Sequence, residues 1–90
     1  MAGDYPVQRV LIHIHGIVQG VGFRPFIHKL VKERGLRGYI KITSSGVELE
    51  LEGEHEELSG FIEDIPRRAP KLAVIEAMET EYLPDLTGYE

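Results

Sequence analysis

The segment from Gly16 to Arg24, with the sequence GIVQGVGFR, constrains this chain more than any other part of it. It lies between a stretch of alternating apolar residues, typical of a β-strand, and a stretch with helical spacing. Its three glycines allow the backbone to curl and a ligand to approach the main chain closely. A curled loop at a helix start presents several N–H groups beside the positive end of the helix dipole, which favours binding of a small anion.

Arg24 adds a permanently charged guanidinium at the start of the predicted helix, and its planar fork suits two oxygens of a phosphate. We therefore predict a phosphate-binding site formed by Arg24 and the preceding loop residues Val18, Gln19, Gly20, Val21, Gly22 and Phe23. The alternative is a glycine-rich connection followed by an arginine with no binding role. Pro25 replaces the third glycine of the dinucleotide fingerprint, and the chain has no Gly-Lys-Ser/Thr triplet, so neither common nucleotide motif fits.

Hydrophobic periodicity predicts the secondary structure around this loop. Residues 10–15 alternate as a first strand, with Val10, Ile12 and Ile14 facing the core. A first helix follows, with Pro25 in its first turn and Gly35 at its end. Its apolar positions are Phe23, Phe26, Ile27, Leu30 and Val31.

The sequence of the second half of the chain predicts a hairpin, then a helix and then a last strand. Ser44, Ser45 and Gly46 form the hairpin turn, with a positive φ at Gly46, and Pro66 ends the second helix. The predicted elements are strand two at 36–43, strand three at 47–51, helix two at 54–65, a loop at 67–71, strand four at 72–82 and an irregular tail at 83–90. Imperfect alternation in strand four predicts a bulge there.

The order βαββαβ predicts an α+β fold, the ferredoxin-like sandwich. Right-handed crossovers then place two helices on one face of a four-stranded antiparallel sheet. Ninety residues predict a single domain, 1–90, with one core. The absence of cysteine and of a signal peptide is typical of a cytoplasmic protein, and we predict no membrane association.

Two motifs resemble the signatures of the acylphosphatase family. The first is the glycine loop itself, and the second is residues 38–47, GYIKITSSGV. The longer run VQGVGFRPF at 18–26 is similar to the acylphosphatase-like N-terminal domain of the hydrogenase-maturation carbamoyltransferase. Residues 69–76 and the ending Pro84 to Tyr89 are similar to the same subgroup. The resemblance covers the chain from Val10 to Glu90 and implies the ferredoxin-like fold.

The resemblance implies hydrolysis of a small acyl phosphate, with carbamoyl phosphate as the substrate and no cofactor. Arg24 is then a catalytic residue, and an asparagine of the second strand positions the attacking water. Ile42 stands at that asparagine position and has no hydrogen-bonding group. Ile42 lies two residues after Ile40, so their side chains are expected on the same face of the strand, and we predict that Ile42 faces the core. Thr43 or Ser44 could position water instead, although hydroxyls beside a hairpin usually cap the turn.

Two other functions compete with this one. Ile42 favours a non-catalytic phosphate-binding or docking module, whose partners are the later domains of a hydrogenase-maturation carbamoyltransferase; the ending at Glu90 slightly favours such a fragment. A ferredoxin-like RNA-binding domain would expose aromatic residues on strand three, where Glu48, Glu50 and Glu52 stand instead. With a net charge of −5 as well, we predict no nucleic-acid partner.

The histidines and the basic residues are weaker signals. His13 and His15 share a strand face and could bind a metal, but no third ligand is evident, so we predict a polar sheet face and no metal site. His28 follows Arg24 by one helical turn and is expected at the surface, at most near the rim of the site. Six of the ten Lys and Arg residues lie between Arg24 and Lys41, where they could steer an anionic substrate.

Overall fold

The chain folds into the ferredoxin-like arrangement. The computed structural model describes residues 7–83. Its elements are β1 (Val7–Ile17), α1 (Phe23–Glu33), β2 (Arg37–Ile42), β3 (Gly46–Glu54), α2 (His55–Arg68) and β4 (Val74–Tyr82). The strands form one sheet in the order β2-β3-β1-β4, and every neighbouring pair is antiparallel. The predicted βαββαβ order and sheet are therefore confirmed.

The core lies between the two helices and one face of the sheet. Val10, Ile12 and Ile14 of β1 are fully buried, as their alternation predicts. They pack with apolar residues of β3 and of both helices: Val47, Leu49, Leu51, Phe23, Ile27, Leu30, Leu58, Phe61 and Ile65. The intervening residues of β1 and β3 point to the opposite face, which no helix of the described residues covers and which carries arginine, histidine and glutamate side chains. No helix in residues 7–83 is long and apolar enough to cross a membrane.

Three predicted boundaries or conformations need correction. β1 continues to Ile17, so Gly16 belongs to the strand and not to the loop. Pro66 lies inside α2, which continues to Arg68. Pro66 is exposed and lies in the last turn of α2, so the hydrogen bond that its missing N–H would donate is lost only at the end of the helix. Gly46 does not have a positive φ; it is needed because a Cβ there would overlap the carbonyl of Ile14 on β1.

The predicted bulge lies in the pairing of β4 with β1. His15 pairs with Ala77, but the next residue, Gly16, pairs with Ile75, so Glu76 of β4 has no partner in the ladder. This irregularity sets which side chains of β4 lie opposite those of β1. The predicted tail falls outside the described residues from residue 84 onward.

Ile42 is not a core residue, and this prediction was wrong. Its side chain is 41% exposed, whereas Ile40 on the same strand is half-buried against the core. Ile42 is the last residue of β2, and β2 is an edge strand, so solvent reaches it from the strand end and from the outer edge. Period-two alternation shows which face of the sheet a residue lies on, but it does not show how far along the strand the helices cover that face.

A buried carboxylate connects the two helices. Asp64 of α2 is 7% exposed and accepts hydrogen bonds from Nε and Nη2 of Arg34, at 3.2 and 3.0 Å. Arg34 also donates to Glu57, at 3.1 Å. These hydrogen bonds, the pair to Asp64 foremost, raise the pKa of Arg34 above its ordinary value. Since Arg34 follows α1 directly, this contact fixes α1 against α2.

We predict that Asp64→Asn lowers the free energy of unfolding by about 1–3 kcal/mol, because the Arg34 guanidinium loses its charged acceptor at a buried position. Glu33→Gln is the matched control, since Glu33 pairs with Arg68 at the exposed surface. It should cost clearly less than Asp64→Asn, because solvent screens an exposed ion pair. Urea unfolding of the three proteins measures both values, and equal losses for the two variants would contradict the account of the helix contact.

Candidate functional site: an anion-binding loop

The loop that joins β1 to α1 has the conformation expected of an anion site. It comprises five residues, 18–22, and α1 begins at Phe23. Gly20 and Gly22 have φ angles of 71° and 83°, in the left-handed region that residues with a side chain rarely adopt. Gly22 is the N-cap of α1, and its carbonyl accepts the first hydrogen bond of the helix from the N–H of Phe26. The first turn of α1 holds no acidic residue, so its positive end is not neutralised there.

The loop and the first turns of α1 line an open cavity of about 380 Å³. Val18 and Phe23 are buried and form apolar parts of its wall. The lining residues are Val18, Gly20, Gly22, Phe23, Arg24, Pro25 and His28. Five of the predicted phosphate-binding residues therefore line one cavity, whereas Gln19 and Val21 are not among its walls.

Arg24 lies at this cavity without a compensating partner in the described part of the chain. It is the second residue of α1 and is exposed. Within residues 7–83 it makes neither a side-chain hydrogen bond nor an ion pair, unlike Arg9, Arg34 and Arg68. A guanidinium that is free of internal partners at a helix N-terminus is suited to bind an external anion.

The side chain of Gln19 points away from the cavity and contacts the hairpin. Its side-chain amide donates to the carbonyl of Thr43 at 3.0 Å and to that of Gly46 at 3.4 Å. Both carbonyls belong to the hairpin between β2 and β3. The side chain of Gln19 therefore fastens the loop to the hairpin, and only its backbone N–H is available to a ligand.

The hairpin contact brings the position of Ile42 near the loop without placing it in the cavity. Ile42 precedes Thr43, whose carbonyl contacts Gln19, but Ile42 is not among the residues that line the cavity. Thr43 is half-buried and uses its own N–H for the hairpin bond to Gly46, at 2.9 Å.

His28 lines the cavity one turn beyond Arg24, although the sequence suggested at most a rim position. The four-residue spacing from Arg24 is the signal that points to this placement. Its imidazole adds a second nitrogen-bearing side chain to the wall.

The predicted basic stretch is less free to steer a ligand than its composition suggests. Arg34 is held by Asp64 and Glu57, and Arg37 lies 3.7 Å from Glu52. The expectation that no third potential ligand lies near His13 and His15 was wrong, because Glu79 of β4 lies beside both. The sequence conceals this neighbour because the pairing of β1 with β4 joins residues that are more than sixty positions apart.

Comparison with known proteins places this loop in a family. The model of the family described as Acylphosphatase matches residues 10–90, which include the whole loop and α1. The chain belongs to the acylphosphatase family. Acylphosphatases hydrolyse acyl phosphates, and the loop at residues 18–22 is the candidate site in this chain for that chemistry.

Relatives of this acylphosphatase domain include both long and short proteins. It is 37% identical over 82 residues to the Methanocaldococcus jannaschii protein named "Probable carbamoyltransferase HypF", a match that covers 91% of this chain and 11% of that protein. It is 38% identical over 85 residues to an acylphosphatase of Bacillus pumilus, covering 89% of this chain and 93% of that protein. The chain thus spans about a tenth of the long relative and most of the short one.

A solved structure supports the same family. The crystal structure of full-length HypF in the phosphate- and nucleotide-bound form superimposes with a TM-score of 0.82 and 39% identity. The match covers 86% of this chain and 10% of that protein. The predicted resemblance to acylphosphatases and to the HypF domain is confirmed.

We predict that Arg24→Ala weakens binding of inorganic phosphate at least tenfold, because charge-assisted hydrogen bonds are worth about 1.5–3 kcal/mol each. Lys29→Ala removes the same charge from α1 but does not alter a cavity wall, so its effect should be severalfold smaller. Calorimetric titration with phosphate gives both affinities. Unchanged binding in Arg24→Ala, or an equal loss in Lys29→Ala, would show that Arg24 is not a direct ligand.

Proposed function

We propose that this chain binds the phosphoryl group of a small acyl phosphate at residues 18–24 and hydrolyses it, with Arg24 as the catalytic residue. The observation that carries the proposal is the position of Arg24, which has no partner in residues 7–83 and lies at a cavity beside a helix N-terminus. Membership of the acylphosphatase family supports it.

Hydrolysis of an acyl phosphate requires few catalytic groups from the protein. An acyl phosphate is a mixed anhydride whose carboxylate is a good leaving group, so a strong general acid is unnecessary. The reaction needs compensation of charge on the phosphoryl oxygens and an oriented water. Loop N–H groups, the helix N-terminus and Arg24 supply the first requirement from this chain's own residues.

The second requirement, an oriented water, has no evident side chain to meet it in this site. Ile42 stands at the position of the usual asparagine and offers no hydrogen bond to water. Thr43 is the nearest alternative, since it is adjacent in the chain and belongs to the hairpin that Gln19 fastens to the loop. We therefore propose slow turnover.

Carbamoyl phosphate is the substrate that we propose. It is a small acyl phosphate, and the support comes from relatives that are named carbamoyltransferases. The cavity is open, and its lining residue His28 can contact the polar carbamoyl end while the loop holds the phosphoryl end.

The second candidate is a phosphate-binding module without catalysis, acting beside the later domains of a longer carbamoyltransferase. Ile42 favours it, because phosphate binding does not depend on a water-positioning side chain. The small share of the carbamoyltransferase relative that this chain spans also favours it.

We predict that Ile42→Asn raises hydrolysis of carbamoyl or benzoyl phosphate by about 10²–10³, the usual value of one preorganised polar group. Because Ile42 is 41% exposed, the substitution should lower the free energy of unfolding by less than Ile40→Asn does, since Ile40 packs against the core. Phosphate affinity should stay nearly constant. Turnover is measured with EDTA present, since the proposed reaction uses no metal.

Ile40→Asn is the matched control for this substitution. It introduces the same amide on the same strand face, two residues further from the hairpin and against the core. It should destabilise the protein and leave turnover unimproved. A folded Ile42→Asn variant with no gain in turnover would contradict the role of this position. Fast hydrolysis by the wild-type chain would contradict it too, because another group, such as the hydroxyl of Thr43 or Ser44, would then have to position the water.

A further inference from the structure

The open face of the sheet carries a cluster of imidazole and carboxylate groups that the phosphate site does not use. His13 and His15 alternate with buried Ile12 and Ile14, so both imidazoles lie on the face opposite the helices. Glu79 of β4 pairs directly with His13 across the sheet. None of the three lines the cavity at the loop.

The ligand atoms of these three side chains already lie close together. One nitrogen from each of His13 and His15 and one carboxylate oxygen of Glu79 are all within 4.8 Å of one another. His15 Nε2 lies 3.6 Å from Glu79 Oε1. Ligand atoms around one tetrahedral zinc ion are about 3.3 Å apart, given zinc–ligand distances of about 2.0–2.1 Å. Glu79 is exposed and the two histidines are partly exposed, so rotation of these side chains can close that difference.

Neighbouring groups orient the cluster. His15 Nδ1 lies 3.3 Å from the hydroxyl of Ser45, so its Nε2 is the nitrogen directed at Glu79. His13 has a second carboxylate beside it, Glu48 of β3, with Nε2 3.7 Å from Oε1. Metal-ligating histidines usually have an oxygen partner at the nitrogen that does not bind the metal, which fixes the ring, and Ser45 holds this position for His15.

Space for a fourth ligand is present as well. A hollow of about 200 Å³ lies beside His13 and Glu79, between β1 and β4. The two imidazole rings meet at 60°, with centroids 6.2 Å apart, and are not stacked on each other. A water in this hollow can complete four-coordination.

We propose that His13, His15 and Glu79 form a binding site for a divalent first-row transition metal ion, of which Zn²⁺ is the representative. Two imidazoles with one carboxylate suit such ions, whereas Ca²⁺ and Mg²⁺ prefer oxygen ligands alone. Both histidines lie on β1, which is hydrogen-bonded on both edges, so the backbone of the site is rigid. The site is separate from the proposed phosphate chemistry and does not depend on it.

Calorimetric titration of the 90-residue chain with ZnCl₂, in a buffer free of phosphate and chelators, tests the site. We expect one zinc per chain. His13→Ala, His15→Ala and Glu79→Gln should each weaken zinc binding at least tenfold, the order of effect known for groups that support a metal site. His55→Ala is the matched control, because His55 is an exposed histidine outside the cluster that contacts Gln8 instead. It should leave zinc affinity within about twofold.

Two further measurements separate a lost ligand from a lost fold and identify the bound groups. All four variants should keep the wild-type affinity for phosphate, because none of the substituted residues lines the loop cavity. In the wild type, zinc should shift the imidazole resonances of His13 and His15 and leave those of His28 unchanged, and excess magnesium should not displace it. Absence of zinc binding at millimolar concentration would overturn the proposal. So would wild-type zinc affinity in the three cluster variants.

Discussion

The central strand β1 is hydrogen-bonded to β3 on one edge and to β4 on the other, and its alternation determines both faces of the molecule. Val10, Ile12 and Ile14 point into the core, where the two helices cover them. Because the side chains of a strand alternate, the residues between them are forced onto the open face. The loop at residues 18–22 follows directly after the end of the same strand. The anion site and the histidine cluster therefore both depend on the register of one strand.

The features that depend on local patterns could be predicted from the sequence. The alternation of β1, the helical spacing after the loop and the glycines at Gly20 and Gly22 each report on a few neighbouring residues. Arg24 could be assigned to the helix start for the same reason. These local patterns were sufficient for the βαββαβ order and for most of the cavity wall.

The features that depend on distant pairing could not be predicted. Glu79 becomes a neighbour of His13 only through the register of β4 on β1, which includes the bulge at Glu76. Ile42 has the parity of a core residue, but it is exposed because β2 is an edge strand that ends there. Gln19 lies in the predicted binding motif, yet its side chain contacts the hairpin, more than twenty residues away in sequence. In each case the deciding contact is tertiary.

The exposure of Ile42 changes the meaning of the missing asparagine. A buried isoleucine would be retained for packing, and restoring a polar group there would cost stability. Ile42, 41% exposed at the end of an edge strand, has less packing to lose than a core isoleucine. In the proposed function, phosphate binding depends on the loop and Arg24 and water positioning on the end of β2, so a substitution at Ile42 can test the second without altering the first.

The central claim, that residues 18–24 bind the phosphoryl group, is tested most directly by mapping amide chemical shifts during titration with inorganic phosphate. The account predicts that the largest saturable shifts fall on the backbone amides of 18–24, with smaller ones at the hairpin that Gln19 contacts. It also predicts that the amide chemical shifts of the open sheet face, around His13 and Glu79, do not change. The claim would be contradicted if the saturable chemical-shift changes were centred on that face or on α2 and the amide resonances of residues 18–24 did not shift.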